Sequence, residues 1–114
     1  DWDAFNDKAQ RYEAVATDVI TGESAYFDKD SCSDIIAAVK ASSSIPVMSK
    51  MIDVDGRKYL DGGISTSIAY NRAFELGYSK VVAVLTREEG YRKKPVNKVN
   101  EGICKRYYSN RAKG

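Results

Sequence analysis

Lys58-Tyr59-Leu60-Asp61-Gly62-Gly63-Ile64-Ser65-Thr66-Ser67-Ile68-Ala69 reads as a strand, a sharp turn and the start of a helix. Met51-Ile52 and Lys58-Tyr59-Leu60 are short strands on either side of an Asp55-Gly56 turn. Asp61-Gly62-Gly63 turns the chain, and Thr66 or Ser67 can cap a helix whose face carries Ile68, Ala69, Ala73 and Phe74. Gly77 is a natural stop for that helix. A carboxylate is therefore placed where a strand ends, ahead of two glycines. Glycines there permit positive φ and close approach of another backbone. Successive N–H groups in such a turn favour an anionic neighbour. Asp61 can hydrogen-bond a nucleophile across a cleft and accept its proton, or it can simply serve the turn.

Outward from this unit, Lys80 to Thr86 carries the apolar run Val81-Val82-Ala83-Val84-Leu85, which predicts a strand buried on both faces of a covered sheet. On the other side, Ile35, Ile36 and Val39 predict a helical face reaching about Ala41, with Ser31 and Asp34 spaced as an N-terminal cap. Ser42-Ser43-Ser44-Ile45-Pro46 breaks that helix, because a residue before proline avoids the helical region. Further back, Arg11 to Ile20 and Ala25-Tyr26-Phe27 predict two strands joined at Thr21-Gly22. The elements add up to an α/β chain.

The composition excludes several classes. A length of 114 residues is one domain at most, since domains run to about 100–150 residues. A hydrophobic fraction of 43% with 30% charged residues is that of an ordinary globular protein. Val81 to Leu85 is the longest aliphatic run, far short of the roughly 20 apolar residues of a membrane-spanning helix. No secretory signal pattern is visible. The first residue is Asp1 rather than Met, as expected of a chain that begins inside a longer protein. There is no histidine, so neither a Ser-His-Asp site nor a His-based zinc motif can be built from these residues. Cys32 and Cys104 form no Cys-x-x-Cys pair and read as reduced thiols of a cytoplasmic protein. Residues 1–86 carry 9 basic and 13 acidic side chains, whereas residues 87–114 carry 9 basic and 3 acidic. Val99, Ile103 and Tyr107 fall at four-residue spacing, predicting a helix from about Val96 to Tyr108 with a basic face. Such a face can meet phosphate, in lipid headgroups or nucleic acid, or can be merely solvated.

A serine nucleophile of the Gly-x-Ser-x-Gly kind sits between a strand and a helix. Gly22-Glu23-Ser24-Ala25-Tyr26 and Gly77-Tyr78-Ser79-Lys80-Val81 lie in the wrong structural order and lack the last glycine. Gly63-Ile64-Ser65-Thr66-Ser67 has the right order but also lacks it. Ser65 is thus the internal candidate, and helix capping explains it more cheaply.

Ala16-Thr17-Asp18-Val19-Ile20-Thr21-Gly22-Glu23, Ala41-Ser42-Ser43-Ser44-Ile45-Pro46 and Asp61-Gly62-Gly63, in this order, resemble the later motifs of the patatin-like phospholipases of the bacterial branch, with Val81 to Leu85 matching the strand that follows. The resemblance covers about residues 1–95. It implies part of a three-layer α/β/α sandwich, with residues 1–90 the C-terminal part of a catalytic domain and 91–114 a basic helical segment. It implies a serine acyl-hydrolase with a Ser-Asp dyad and no catalytic histidine, acting on lipid acyl esters without metal or organic cofactor. The dyad aspartate carries over to Asp61, with Gly62 and Gly63 shaping its turn. The family's glycine-rich oxyanion loop and its Gly-x-Ser-x-Gly serine lie upstream of the matched region and are not in these 114 residues. Where many relatives have proline soon after the Asp-Gly-Gly turn, this chain has Ile68-Ala69-Tyr70. The expectation is a fragment that holds one half of the dyad and is inactive alone, contacts a membrane surface rather than nucleic acid, and self-associates through uncovered strand edges. The competing readings are a non-catalytic interaction module whose basic C-terminal segment contacts phosphate, and a degenerate homologue with no nucleophile.

Overall fold

Both short turns read from the sequence make hairpins. In the computed structural model, which describes residues 1–92 and residue 94, β1 (Glu13–Asp18) and β2 (Ser24–Asp28) pair antiparallel from Glu13 opposite Asp28 to Thr17 opposite Ser24. β3 (Ile52–Val54) and β4 (Arg57–Asp61) form the second hairpin. Its turn residues Asp55 and Gly56 have φ of 52° and 77°, the mirror-image turn whose twist matches that of the strands. The Gly56 N–H donates to Asp53 Oδ1 at 2.9 Å, closing it. β4 returns beside β1, with Ala16 opposite Asp61 and Thr17 opposite Leu60, so the strand order is β2-β1-β4-β3. The protein is thus of mixed α/β class, with a four-stranded antiparallel sheet among the described residues.

Three α-helices accompany the sheet among the described residues. A short helix, α1 (Trp2–Asn6), precedes the sheet and is capped by Asp1. α2 (Ile35–Ser42) covers one face of the sheet. Its cap is Asp34, whose carboxylate accepts from the Ala37 N–H at 2.9 Å, rather than Ser31. Its packed face also differs from the expected Ile35, Ile36 and Val39. Ala38 and Ala41 are fully buried, while Ile36 is exposed. Alanines let the helix backbone come close to Ala16 on β1, which is likewise fully buried. Ala16, Ala41, Val54 and Tyr59 form the core, with Phe27 stacked edge-on against Tyr59 at 5.0 Å between ring centroids. Such an aromatic pair adds about 0.5–1.5 kcal/mol beyond its buried area.

Side chains alternate along a strand, so Ala14 and Ala16 face α2 while Glu13, Val15 and Thr17 face the other way. On that second side lies α3 (Tyr70–Glu75). Arg72 donates to Glu13 through Nε at 2.9 Å and Nη2 at 3.0 Å, and its guanidinium lies 4.7 Å from the centre of the Tyr26 ring. The hydrogen bond from Arg72 holds the Glu13 carboxyl below the usual range, against burial and with help from Arg11. Gly77, with φ of 93°, ends α3 as expected. Thr66 and Ser67 do not cap it: Ala69 stands at the cap position without a side-chain bond. The Thr66 hydroxyl is instead engaged with Ser24, and that of Ser67 with the Gly63 carbonyl.

The expectation for Val81 to Leu85 is overturned. The run is not part of the sheet, and Val82 and Val84 are 91% and 92% exposed. A strand buried on both faces needs a neighbour's hydrogen-bond ladder and a layer over each face. Among the described residues the sheet is filled by the two hairpins, and the run lies outside it. No helix among the described residues is long and apolar enough to cross a membrane. The expected helix over residues 96–108, its basic face and Cys104 lie outside the described residues.

Candidate functional site

Asp61 is the last residue of β4, and the chain leaves it as a single 3-10 turn, Gly62–Ile64. Its three polar groups are all engaged. The N–H donates to the Ser44 carbonyl at 3.0 Å, tying it to the loop after α2. Oδ1 accepts from the Gly63 N–H at 2.6 Å. The backbone carbonyl accepts from the Thr17 hydroxyl at 2.8 Å. Asp61 is half-buried, so its carboxylate is oriented by the fold while staying within reach of another group.

The two glycines act as the sequence requires in one respect and not in the other. Neither has positive φ; the described glycines that do are Gly22, Gly56, Gly77 and Gly90. Both are needed for space. A Cβ on Gly62 would stand 2.3 Å from the Val15 carbonyl oxygen, and one on Gly63 would stand 2.9 Å from Asp61 Oδ1. Gly62 lets the turn lie against β1, and Gly63 lets its own N–H reach the carboxylate.

Ser65 follows the turn, in a cluster of hydroxyls. Its Oγ lies 2.8 Å from Thr17 Oγ1 and 2.7 Å from Ser24 Oγ, and Ser24 Oγ lies 2.6 Å from Thr66 Oγ1. The Ser65 N–H also donates to Thr17 Oγ1 at 3.3 Å. Serine is activated by a neighbouring base, and the groups that Ser65 meets are hydroxyls and, at 3.5 Å, the Gly62 carbonyl. Asp61 and Ser65 thus share one turn without forming a nucleophile and base.

The sequence gives Thr17 no chemical role of its own, and Ser24 stands there only as a near miss of the nucleophile motif. Thr17 is buried at 4% exposure, and its partners Asp61 and Ser65 stand 44 and 48 residues away, so no local pattern marks it. Its neighbour Asp18 is also buried and closes the first hairpin. Oδ1 accepts from the Ile20 and Thr21 N–H groups at 2.8 and 3.1 Å, and Oδ2 accepts from Arg57 Nε at 2.8 Å. Burial pushes the Asp18 carboxyl up, but the Thr21 and Ile20 amides and Arg57 outweigh it and hold the group below its ordinary range. Asp18 is therefore a structural anion joining β1 to β4. Among the described residues no three Cys, Asp or Glu side chains gather as a metal site.

No protein-family model matches the chain. An uncharacterized NTE family protein of Mycobacterium bovis is 43% identical to it over 53 residues, which are 46% of this chain and 14% of that relative. Uncharacterized NTE family proteins of two Mycobacterium tuberculosis strains match to the same extent. The chain is thus similar over 53 residues to these NTE family proteins and spans 14% of their length.

Proposed function

We propose that this chain supplies the general base of a patatin-like serine acyl-hydrolase acting on lipid acyl esters, with Asp61 as the base and the serine and oxyanion loop contributed by residues upstream of these 114. The observation that carries the reading is the Asp61 carboxylate itself. It stands at a strand end, with Oδ1 pinned by the Gly63 N–H at 2.6 Å and the side chain half-buried. The order of the motifs around Asp18, Ser42 to Pro46 and Asp61, and the partial homology to NTE family proteins, support it.

In this reading, Asp61 takes the proton from the serine hydroxyl as its oxygen attacks the ester carbonyl. The tetrahedral oxyanion is held by backbone N–H groups of the oxyanion loop. The C–O bond to the alcohol then breaks, the proton passes from Asp61 to the departing oxygen, and an acyl-serine remains. Water attacks the acyl-serine, giving its proton to Asp61, and the fatty acid leaves as the serine regains its hydrogen. A carboxylate with one oxygen fixed by an amide keeps a constant direction through both proton transfers. The chain has no histidine, and this chemistry needs none.

The test is Asp61→Asn in the full-length protein. Asparagine keeps the size and the amide contact but takes no proton at neutral pH. Ester turnover falls by at least about 100-fold, in line with the loss of general-base catalysis, while the circular dichroism spectrum is unchanged. Turnover that survives this substitution sinks the proposal.

A further inference from the structure

The four hydroxyls beside Asp61 line up in one sense when Ser65 donates along its shorter contact, to Thr17 at 2.8 Å rather than to the Gly62 carbonyl at 3.5 Å. Thr17 Oγ1 has a single hydrogen, and the Asp61 carbonyl at 2.8 Å can only accept, so Thr17 donates there. Thr17 then accepts from the Ser65 N–H and, along the shorter of the two directions open to it, from the Ser65 Oγ–H. Ser65, having given its hydrogen to Thr17, accepts from Ser24. Ser24 in turn accepts from Thr66. The hydrogens therefore all point one way, from Thr66 through Ser24, Ser65 and Thr17 to the Asp61 carbonyl. Chains aligned in this manner polarise one another, which strengthens the terminal bond.

That terminal bond acts on the peptide linking Asp61 to Gly62, one residue before the N–H that holds the Asp61 carboxylate. We infer that Thr17 is a positioning residue for Asp61: its hydroxyl, fed by the chain from the first hairpin, fixes the 61–62 peptide and so keeps the Gly63 N–H on Asp61 Oδ1. This inference rests on the reading of Asp61 as the base. Thr17 is suited to the role because it is buried on the face of β1 opposite α2, and its two acceptor positions are both filled. Valine has the same shape and lacks the hydroxyl. It would leave the Asp61 carbonyl and the Ser65 N–H without these partners and release the peptide plane.

The experiment compares Thr17→Val, Thr17→Ser and Asp61→Asn in the full-length protein, with rates normalised to titrated active sites. Thr17→Val lowers kcat about 10- to 100-fold with KM within about twofold, the scale expected when a reacting group is slightly misplaced. Thr17→Ser restores the hydroxyl and brings kcat back towards the parent. A residue that merely stabilised the fold would reduce the titratable sites without changing kcat per site. If Thr17→Val does not fold, Ser65→Ala at the exposed Ser65 serves, since it removes the hydroxyl donor to Thr17; kcat falls the same way by less. Unchanged kcat per site in the hydroxyl variants, with Asp61→Asn inactive, overturns the positioning role alone. Turnover by Asp61→Asn overturns the base assignment itself.

Discussion

Gly62 lies so close to Val15 that a Cβ on it would stand 2.3 Å from the Val15 carbonyl oxygen. The obstacle is strand backbone and cannot rotate aside. Gly62→Ala forces the turn away from β1, breaking the approach on which the Thr17 to Asp61 bond depends. Overpacking of this kind costs about 1–3 kcal/mol and occasionally more. Gly63→Ala differs, because its Cβ would meet the Asp61 side chain, which can swing. Urea unfolding is expected to show a loss of about 3 kcal/mol for Gly62→Ala and under about 1 kcal/mol for Gly63→Ala. In the full-length protein Gly63→Ala loses turnover out of proportion to its stability. Equal stability losses in the two variants would contradict this account.

The Asp18 anion sets a pH dependence of stability. Its folded-state carboxyl is held below the unfolded value, so its contribution is complete above the unfolded pKa of about 3.9 and is lost as pH falls through the lower folded value. Glu13, lowered chiefly by Arg72, works in the same direction. Arg57→Ala removes the cation from Asp18. The Arg57 side chain is 53% exposed, so the cost at pH 7 is about 1 kcal/mol, in the range of a partly screened pair. At pH well below that unfolded value, with Asp18 increasingly protonated, wild type and variant converge. Denaturant titrations at the two pH values measure this. A gap that stays constant with pH means that Arg57 acts through its packing instead.

Val82 and Val84 present an apolar, β-branched run to solvent in the 114-residue chain. Unpaired backbone beside such side chains is a template for pairing with another chain. The isolated chain is expected to associate at micromolar concentration in sedimentation velocity. Lysines at both positions (Val82→Lys with Val84→Lys) should return it towards the monomer, since charges on an exposed edge oppose pairing. A monomeric wild-type chain would remove this run as an association surface.

What could be read from the sequence were the features fixed within a few residues. The turns at Thr21-Gly22 and Asp55-Gly56 and the stop at Gly77 follow from the freedom of glycine at positive φ, and all three glycines have it. The placement of Asp61 at a strand end followed from its neighbours in the same way. The cap of α2 was read three residues early because Ser31 and Asp34 are both good caps, and their spacing does not choose between them. An apolar run such as Val81 to Leu85 reports a tendency to be buried, whereas burial depends on what lies alongside. The hydroxyl chain had no local signal at all: Thr17, Ser24 and Ser65 are ordinary polar residues until two hairpins and a turn bring them together.

The direction of that chain bears on whether the 114 residues can react by themselves. A serine attacks only when its proton can leave to a base within about 2.6–3.2 Å. The Ser65 hydrogen is directed at Thr17, whose own hydrogen is already given to the Asp61 carbonyl. Thr17 is no base at neutral pH, and the groups that Ser65 Oγ meets are hydroxyls and the Gly62 carbonyl, not the Asp61 carboxylate. Ser65 therefore has neither a base nor a free direction for its proton. The 114-residue chain is expected to take no label from a fluorophosphonate probe and to hydrolyse no ester, whereas the full-length protein does both. Ser65→Ala in the full-length protein should leave labelling in place, because the labelled serine lies upstream in the proposed reading. Labelling of the 114-residue chain, abolished by Ser65→Ala, would make Ser65 the nucleophile and overturn the assignment of Asp61 as the base of an upstream serine.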